Sequence, residues 1–376
     1  MPEFVLGLAV GCALSVVAIW IGYPLVIAAL ARRGRGAAST DAAPVPATRP
    51  VSVIIATRDP PAEVAVRTAD ILASDYSGSA IEVVVGCDAG GPWRPEHFSS
   101  ADRRVRFVRG DAPGGKAATL NAAVAVATGE VLVFTDTAQR FAPNTMTLLC
   151  RALDDPSFGA VSGALHTGGE GGGGLADRYW RFEKWLRLQE ARVHSTVGVT
   201  GAVYAMRRDC WRPLPAGVIL DDVYGPMDLV LRGHRVGFAP AAVAYDDRRF
   251  APAQEFRRKA RTLTGVVQLC AWLPGVLVPG RNPIFLQFLF HKLLRLLTPY
   301  LIAVGGGAGA LWVASMLASA PAAVGIAVVT AIVAATLAVA ANRRLREGVK
   351  MAVAMQAAVV RATVNGLRGE WDVWSR

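Results

Sequence analysis

Three short apolar runs rich in β-branched residues each lead into an acid. VSVIIAT, from Val51, ends at Thr57, two residues before Asp59; AIEVVVGCDAGG, from Ala80, carries Asp88; EVLVFTD, from Glu130, closes on Asp136. A carboxylate so placed can hold a divalent cation or take a proton from a hydroxyl. Surface turns are often acidic for solvation alone, so the shared position is what gives these three their claim. Asp221 and Asp222 stand together in GVILDDVYGPM, before an apolar segment. They read either as a helix cap or as a general base beside an acceptor hydroxyl. Among the cations, Lys116 sits in GDAPGGKAATLN with the glycine spacing of a phosphate-binding loop, but Ala117 replaces the Ser or Thr that loop requires. Phosphoanhydride hydrolysis is therefore not expected, although backbone amides and Lys116 can still meet a diphosphate. In QEFRRKARTLTG, Arg257, Arg258, Lys259 and Arg261 fall on one predicted helix. They face lipid or solvent, or else stabilise a leaving diphosphate.

These residues need a scaffold. The apolar runs, with VRFVRG near Val105 as a fourth, alternate with helix-like segments, which predicts an α/β fold with a mainly parallel sheet flanked by helices. Ligands bind such sheets beyond the carboxyl ends of the strands. Three long apolar stretches stand apart from this middle: Phe4 to Leu30, roughly Leu297 to Leu317, and Pro321 to Ala341. Each approaches the ~20 apolar residues that a spanning helix needs. The first is read as an uncleaved anchor and not a signal peptide, because no basic segment precedes it and it exceeds the usual apolar core of about 7–15 residues. Arg32, Arg33 and Arg35 follow it, and Arg343, Arg344, Arg346 and Lys350 follow the last. Basic flanks favour the cytoplasm, so a multi-pass inner-membrane protein with a cytoplasmic middle is expected.

The expected layout is an anchor over 1–35, a linker over 36–50, a cytoplasmic domain over 51–280, an interfacial segment and transmembrane hairpin over 281–342, and a basic cytoplasmic tail over 343–376. The net charge of +11 over 376 residues is accounted for by topology and anionic lipid. Nucleic acid is not an expected partner, since no basic run interleaved with aromatics occurs in the middle. Cys12, Cys87, Cys150, Cys210 and Cys270 lack metal or redox spacing and read as reduced structural thiols. GGEGGGG, Gly168 to Gly174, is expected to be a mobile loop, either covering a site or serving as an inert linker. DRYWRFEKWLRLQEARVHS predicts an amphipathic helix whose Trp180 and Trp185 pack or meet the membrane surface. A transporter is not supported, because the apolar stretches lack acids and an internal repeat.

Taken in order, the motifs from about Val51 to Pro299, including NPIFLQFLFHKLLRLLTPY, resemble the membrane-anchored family 2 inverting glycosyltransferases, the group of cellulose, hyaluronan and poly-N-acetylglucosamine synthases. The resemblance implies a GT-A-like, Rossmann-type sheet with one N-terminal and two C-terminal transmembrane helices. It implies a nucleotide-sugar pocket from Thr57, Asp88, Lys116, Asp136 and Arg258. Asp222 matches the last acid of the family's Thr-Glu-Asp motif, its general base, and Asp221 the acid before it, on the acceptor side with Gly201. Arg261 falls at the arginine of the Gln-x-x-Arg-Trp motif, which binds the diphosphate.

The chain also departs from that pattern. Cys87 replaces the first acid of the Asp-Asp-Gly turn, Ala138 the second metal-binding acid, Arg258 the glutamine and Thr262 the tryptophan of the diphosphate motif. A divalent metal, Mg2+ or Mn2+, is implied at Asp136. One protein carboxylate with phosphate oxygens and water can complete such a shell, so weak or partial metal dependence is expected. Gln139 and Arg140 are the nearest candidates to replace the missing acid. The implied activity is hexosyl transfer from a nucleotide-diphosphate sugar, UDP-linked by default, to a lipid-linked or growing polysaccharide acceptor in envelope or exopolysaccharide synthesis. Single addition, or polymerisation with a partner export protein, is preferred. The competing reading, motivated by Ala138 and Cys87, is a catalytically inactive homologue acting as a binding or scaffolding subunit of a glycan-synthesis complex.

Overall fold

A computed structural model describes residues 2–33, 49–76, 81–168, 175–248 and 252–371. Most of the expected linker, residues 169–174 of the glycine-rich segment and the last five residues of the tail lie outside the described residues. The chain divides into two compact units, one of residues 27–250, 265–288 and 371–376 and one of residues 1–26, 251–264 and 289–370.

The first unit is built on one sheet. Its strands are β1 (Val51–Thr57), β2 (Ile81–Cys87), β3 (Val105–Arg109), β4 (Val131–Thr135), β5 (Arg140–Phe141), β6 (Phe158–Thr167), β7 (Tyr204–Arg207) and β8 (Arg235–Asp246), in the order β3-β2-β1-β4-β7-β6-β8-β5. β1 pairs in parallel with β2 and β4, β2 with β3, and β6 with β8, while β7 runs antiparallel to both β4 and β6. Val51, Val53, Ile54, Ile55, Val83 and Val133 are wholly buried. Strands covered on both faces read as continuous apolar runs, which is how these segments look in sequence. Each such side chain contributes roughly 1.5–3 kcal/mol on burial.

Helices α2 (Pro61–Leu72), α3 (Lys116–Val126), α4 (Thr145–Ala152), α5 (Leu175–Val193) and α6 (Asp221–Leu231) accompany the sheet. α3 begins after Gly115, whose φ of +94° lies in the region that favours glycine. It lies hard against β2: a Cβ on Gly86 would come within 2.7 Å of Thr119 Cγ2, and one on Gly110 within 2.7 Å of Thr119 Oγ1. Small residues in β2 and directly after β3 thus fix the depth of α3, and with it Lys116. The helix α7 (Pro252–Trp272) is divided between the two units after Thr264.

The second unit is helical. α1 (Pro2–Arg33), α8 (Phe285–Leu317) and α9 (Ala322–Ala341) are each long and apolar enough to cross a membrane. α1 carries a π turn at Ala18–Gly22. α1 and α8 touch closely, since a Cβ on Gly305 would lie 2.7 Å from that of Cys12; small residues allow such approach between apolar helices. Trp20 Nε1 donates to Thr298 Oγ1 at 3.1 Å, and the Arg295 guanidinium stacks 4.4 Å from the Trp20 ring centre.

α8 starts well before the expected Leu297, through a π turn at Leu289–Leu293 and a 3-10 turn at Leu294–Leu297. Pro299 cannot donate to the preceding turn, which fits irregular hydrogen bonding just ahead of it. α10 (Arg343–Arg368) follows the hairpin. At about 100° per residue its exposed Leu345, Val349, Val353, Val360, Val364 and Leu367 share one sector. Exposed Arg346, Lys350, Arg361 and Arg368 occupy the adjacent sector, and buried Ala358, Ala362 and Asn365 the remaining one.

Candidate active site

Two successive antiparallel pairings carry the strand direction from β4 through β7 to β6, so the carboxyl ends of β1, β2, β4, β6 and β8 share one edge of the sheet. Thr57, Asp88 and Asp136 meet there, as the alternation of strands and helices implied. Thr57 Oγ1 accepts from Thr137 Oγ1 at 3.0 Å and from the Asp59 amide at 2.9 Å. Asp88 is only 5% exposed. Its Oδ1 accepts from the amides of Gly90 and Gly115, at 2.8 and 2.9 Å, and its Oδ2 from Arg58 Nε. Burial pushes its pKa up, but the Gly115 and Gly90 amides and Arg58 outweigh it and hold the carboxyl below its ordinary value. Asp88 therefore clamps the turn after β2 onto the glycine pair that opens α3.

Lys116, the first residue of α3, stands among carboxylates. Its Nζ is 3.0 Å from Asp136 Oδ1 and 3.5 Å from Asp221 Oδ2. Burial works to lower its pKa, yet Asp136, Asp221 and Asp222 together raise it above the ordinary lysine value. The ammonium stays charged. Of the two acids that open α6, Asp221 is buried on the Lys116 side, whereas Asp222 is partly exposed. The chain leading to them is shaped by glycine. The Val199 amide donates to Asp222 O at 2.8 Å, and a Cβ on Gly201 would sit 3.3 Å from the Asp222 Cβ and 3.4 Å from its Oδ2. Gly201 is thus the residue that leaves room for the Asp222 carboxylate. Leu220 is the N-cap of α6, so the two acids occupy the first turn of the helix and not the cap position itself.

The segment after Asp136 does not rebuild a second acid. Ala138 has no ligand atom, and the buried Gln139 turns its amide to Asp246, with Nε2 donating to Oδ2 at 2.8 Å. Arg140, in β5, pairs with Tyr245 of β8. Asp246, 4% exposed at the end of β8, in turn takes a two-pronged contact from Arg248, Nε to Oδ1 at 2.9 Å and Nη2 to Oδ2 at 2.8 Å. Burial raises the Asp246 pKa, but bonds from Arg248 and Gln139 bring it below the ordinary value.

The donor set bears on the implied metal. Asp136 has a lysine ammonium at its oxygen, and no group of three His, Cys, Asp or Glu side chains suited to a metal ion occurs among the described residues. The described side chains alone do not form a metal cage, and Asp136 is the one carboxylate here that would hold a Mg2+ or Mn2+ ion together with phosphate oxygens.

Arg258 and Arg261 lie on α7 in the other unit, where Arg258 Nη1 is 3.9 Å from Glu255 within the helix. Gly265, on the C-terminal part of α7, packs directly onto Leu220 beside the acid pair. Cys87 is buried in the core in register with Thr57, and burial pushes its thiol up to about 11. It is a neutral packing residue where the resemblance has an acid. All five cysteines are free. Asp246 and Arg248 escaped the reading from sequence, although the strand-end rule that picked out Asp59, Asp88 and Asp136 applies equally to RVGFAPAAVAYDD. So did Arg67, wholly buried on α2, which bonds to Asp70 and donates to Thr135 Oγ1 at 2.9 Å, next to Asp136.

Among solved structures the chain is similar to a mannosyltransferase from Pyrobaculum calidifontis in complex with GDP-Man and Mn2+, at 23% identity and a TM-score of 0.71 over 97% of this chain and 99% of that one. That likeness shows a shared GT-A-like fold. A glucosyl-3-phosphoglycerate synthase from Mycobacterium tuberculosis is similar at 17% identity and a TM-score of 0.39, over 59% of this chain and 79% of that one. No curated protein matches the chain. Residues 52–211, which hold Thr57, Asp88, Lys116, Asp136 and the Gly201 turn, match the family model described as glycosyl transferase family 2.

Proposed function

We propose that the chain is a membrane-bound inverting glycosyltransferase that moves a hexosyl group from a nucleotide-diphosphate sugar to a lipid-linked or growing glycan acceptor. The observation that carries this reading is the division of labour between the two acids of α6. Asp221 is buried against Lys116, and Asp222 is partly exposed with Gly201 clearing its side chain. One acid is thereby placed beside a cation, and the other is partly exposed, where an incoming hydroxyl can reach it.

In the proposed step, Asp222 takes the proton of the acceptor hydroxyl, whose oxygen forms a bond to the anomeric carbon. The bond from that carbon to the phosphate oxygen breaks, its electron pair leaves with the nucleoside diphosphate, and a single displacement inverts the centre. Lys116 faces the developing charge on the leaving group. Arg261 joins it under the motif resemblance, and Thr57 and Asp88 shape the nucleotide side. Three apolar helices and the amphipathic α10 support an acceptor carried by the membrane. A cytoplasmic site, a role in envelope or exopolysaccharide synthesis and an export partner belong to the same proposal.

The test is incubation of the purified full chain with a panel of radiolabelled nucleotide sugars, UDP- and GDP-linked, and membrane lipid extract. Transfer of label into lipid or polymer with inverted linkage supports the proposal. Donor binding without transfer from any sugar to any fraction overturns it and favours the binding-subunit reading motivated by Ala138 and Cys87.

A further inference from the structure

The pattern of Lys116, Asp136 and a single missing acid poses a charge problem that the proposed chemistry must solve. A departing diphosphate needs positive charge in more than one place, and a second carboxylate would ordinarily bring it by fixing a cation. Ala138 removes that carboxylate. The residue next to it, Gln139, does not fill the gap but reaches across to β8, where Asp246 holds Arg248 by two parallel bonds.

We propose that this relay, Gln139 to Asp246 to Arg248, sets the Arg248 guanidinium at the carboxyl edge of the sheet as a second cationic contact for the donor diphosphate, so that Lys116 and Arg248 flank it from two sides. The inference rests on the glycosyl-transfer reading above.

Three observations support it. Gln139 is 3% exposed and Asp246 4%, so both are buried polar groups whose mutual bond fixes their orientation, while the Arg248 side chain is 50% exposed. A buried carboxylate that accepts from a buried amide and a guanidinium is a positioning device, since leaving any of these groups without its partner carries a cost. The fork to Asp246 uses Nε and Nη2 of a guanidinium that has five N–H donors in a planar array suited to phosphate. Finally, Arg248 sits in the field of the site acids. Its bonds to Asp246 act first and Asp136 and Asp59 add to them, together raising its pKa above the ordinary arginine value.

Gln139 and Asp246 are positioning residues, and Arg248 is the group that would touch substrate. Asp246, Asp136 and Asp59 are the acids whose charge reaches Arg248, and Asp136 is also paired with Lys116. A diphosphate arriving without a metal therefore depends on both cations.

The experiment is calorimetric binding of UDP and of GDP to the full chain in detergent, once with Mg2+ and once with EDTA, for the unaltered protein, Arg248→Ala, Arg248→Lys and Gln139→Ala. The unaltered protein is expected to keep its affinity for one of the two nucleotides in EDTA within about tenfold of its value with Mg2+. Arg248→Ala should weaken the EDTA arm by about ten- to hundredfold, the effect of one charge-assisted contact, and by less with Mg2+. Arg248→Lys should recover part of the loss, and Gln139→Ala should fall between, with melting temperatures recorded for each. Metal-free binding unchanged in Arg248→Ala overturns the proposal, as does complete loss of binding in EDTA by the unaltered protein. Those results leave the donor reading intact, whereas binding of neither nucleotide with Mg2+ or with EDTA removes both.

Discussion

At the scale of single residues, the site separates into groups that act and groups that hold. Asp222→Asn should lower turnover by about 10²–10⁴-fold with little change in donor affinity, measured by steady-state transfer and nucleotide binding side by side. Asp221→Asn should act differently, since it removes a partner of Lys116 and should change donor affinity as well. Lys116 has its pKa raised, so its charge is present throughout neutral pH and is lost only above the ordinary lysine range of about 10. No limb of a pH–rate profile between pH 5 and 9 should vanish in Lys116→Arg. Asp88 and Asp246 carry the opposite sign. Their folded pKa values are depressed, so they stabilise the fold above the ordinary carboxylate range of about 4 and lose that contribution as pH falls through the depressed values. Acid titration of the melting temperature should show the loss setting in below about pH 4 and reduced in Asp88→Asn. Ala138→Asp should introduce the absent second acid and raise Mg2+ affinity in the presence of nucleotide, read by calorimetry.

At the scale of elements, what was legible in the sequence follows from what each strand buries. β1, β2 and β4 are near-continuous apolar runs rich in Val, so both their existence and the acids at their ends could be read directly. β6 and β8, FGAVSGALHT and RVGFAPAAVAYD, are rich in Gly and Ala, which have low strand preference, and β7 is only four residues long. They take their form from tertiary pairing, with Ala160 to Gly163 set against Val236 to Ala239 and Ser162 against Tyr204. That blindness to β8 hid Asp246 and Arg248, although Asp222, Lys116 and Asp136 were all in view. Helix α2 gives an element-scale expectation. Arg67 is wholly buried, bonds to Asp70 and Thr135 and lies 4.4 Å from the Phe141 ring centre, so it ties α2 to β4 and β5. Arg67→Ala should cost about 3 kcal/mol in chemical denaturation and loosen the Asp136 turn, seen as lower donor affinity in the surviving folded fraction.

For the whole molecule, three helices are long and apolar enough to cross a membrane, and under the membrane-bound reading proposed above lipid is part of the solvent. The apolar sector of α10 beside its basic sector is the pattern of a helix lying in the headgroup layer of an anionic membrane. Hydrogen exchange over residues 343–368 should therefore slow in nanodiscs containing phosphatidylglycerol relative to pure phosphatidylcholine, and Arg361→Glu with Lys350→Glu should abolish the difference. The contact between α1 and α8 has a consequence best stated as heredity. Three glycines stand in a row, Gly305, Gly306 and Gly307, and nothing in the bare sequence ranks them. A side chain at Gly305 meets Cys12, while at Gly306 and Gly307 a Cβ finds no atom within 4 Å. In a library of every single-codon change, the first of the three should be closed to all replacements larger than hydrogen and the next two open to alanine and serine.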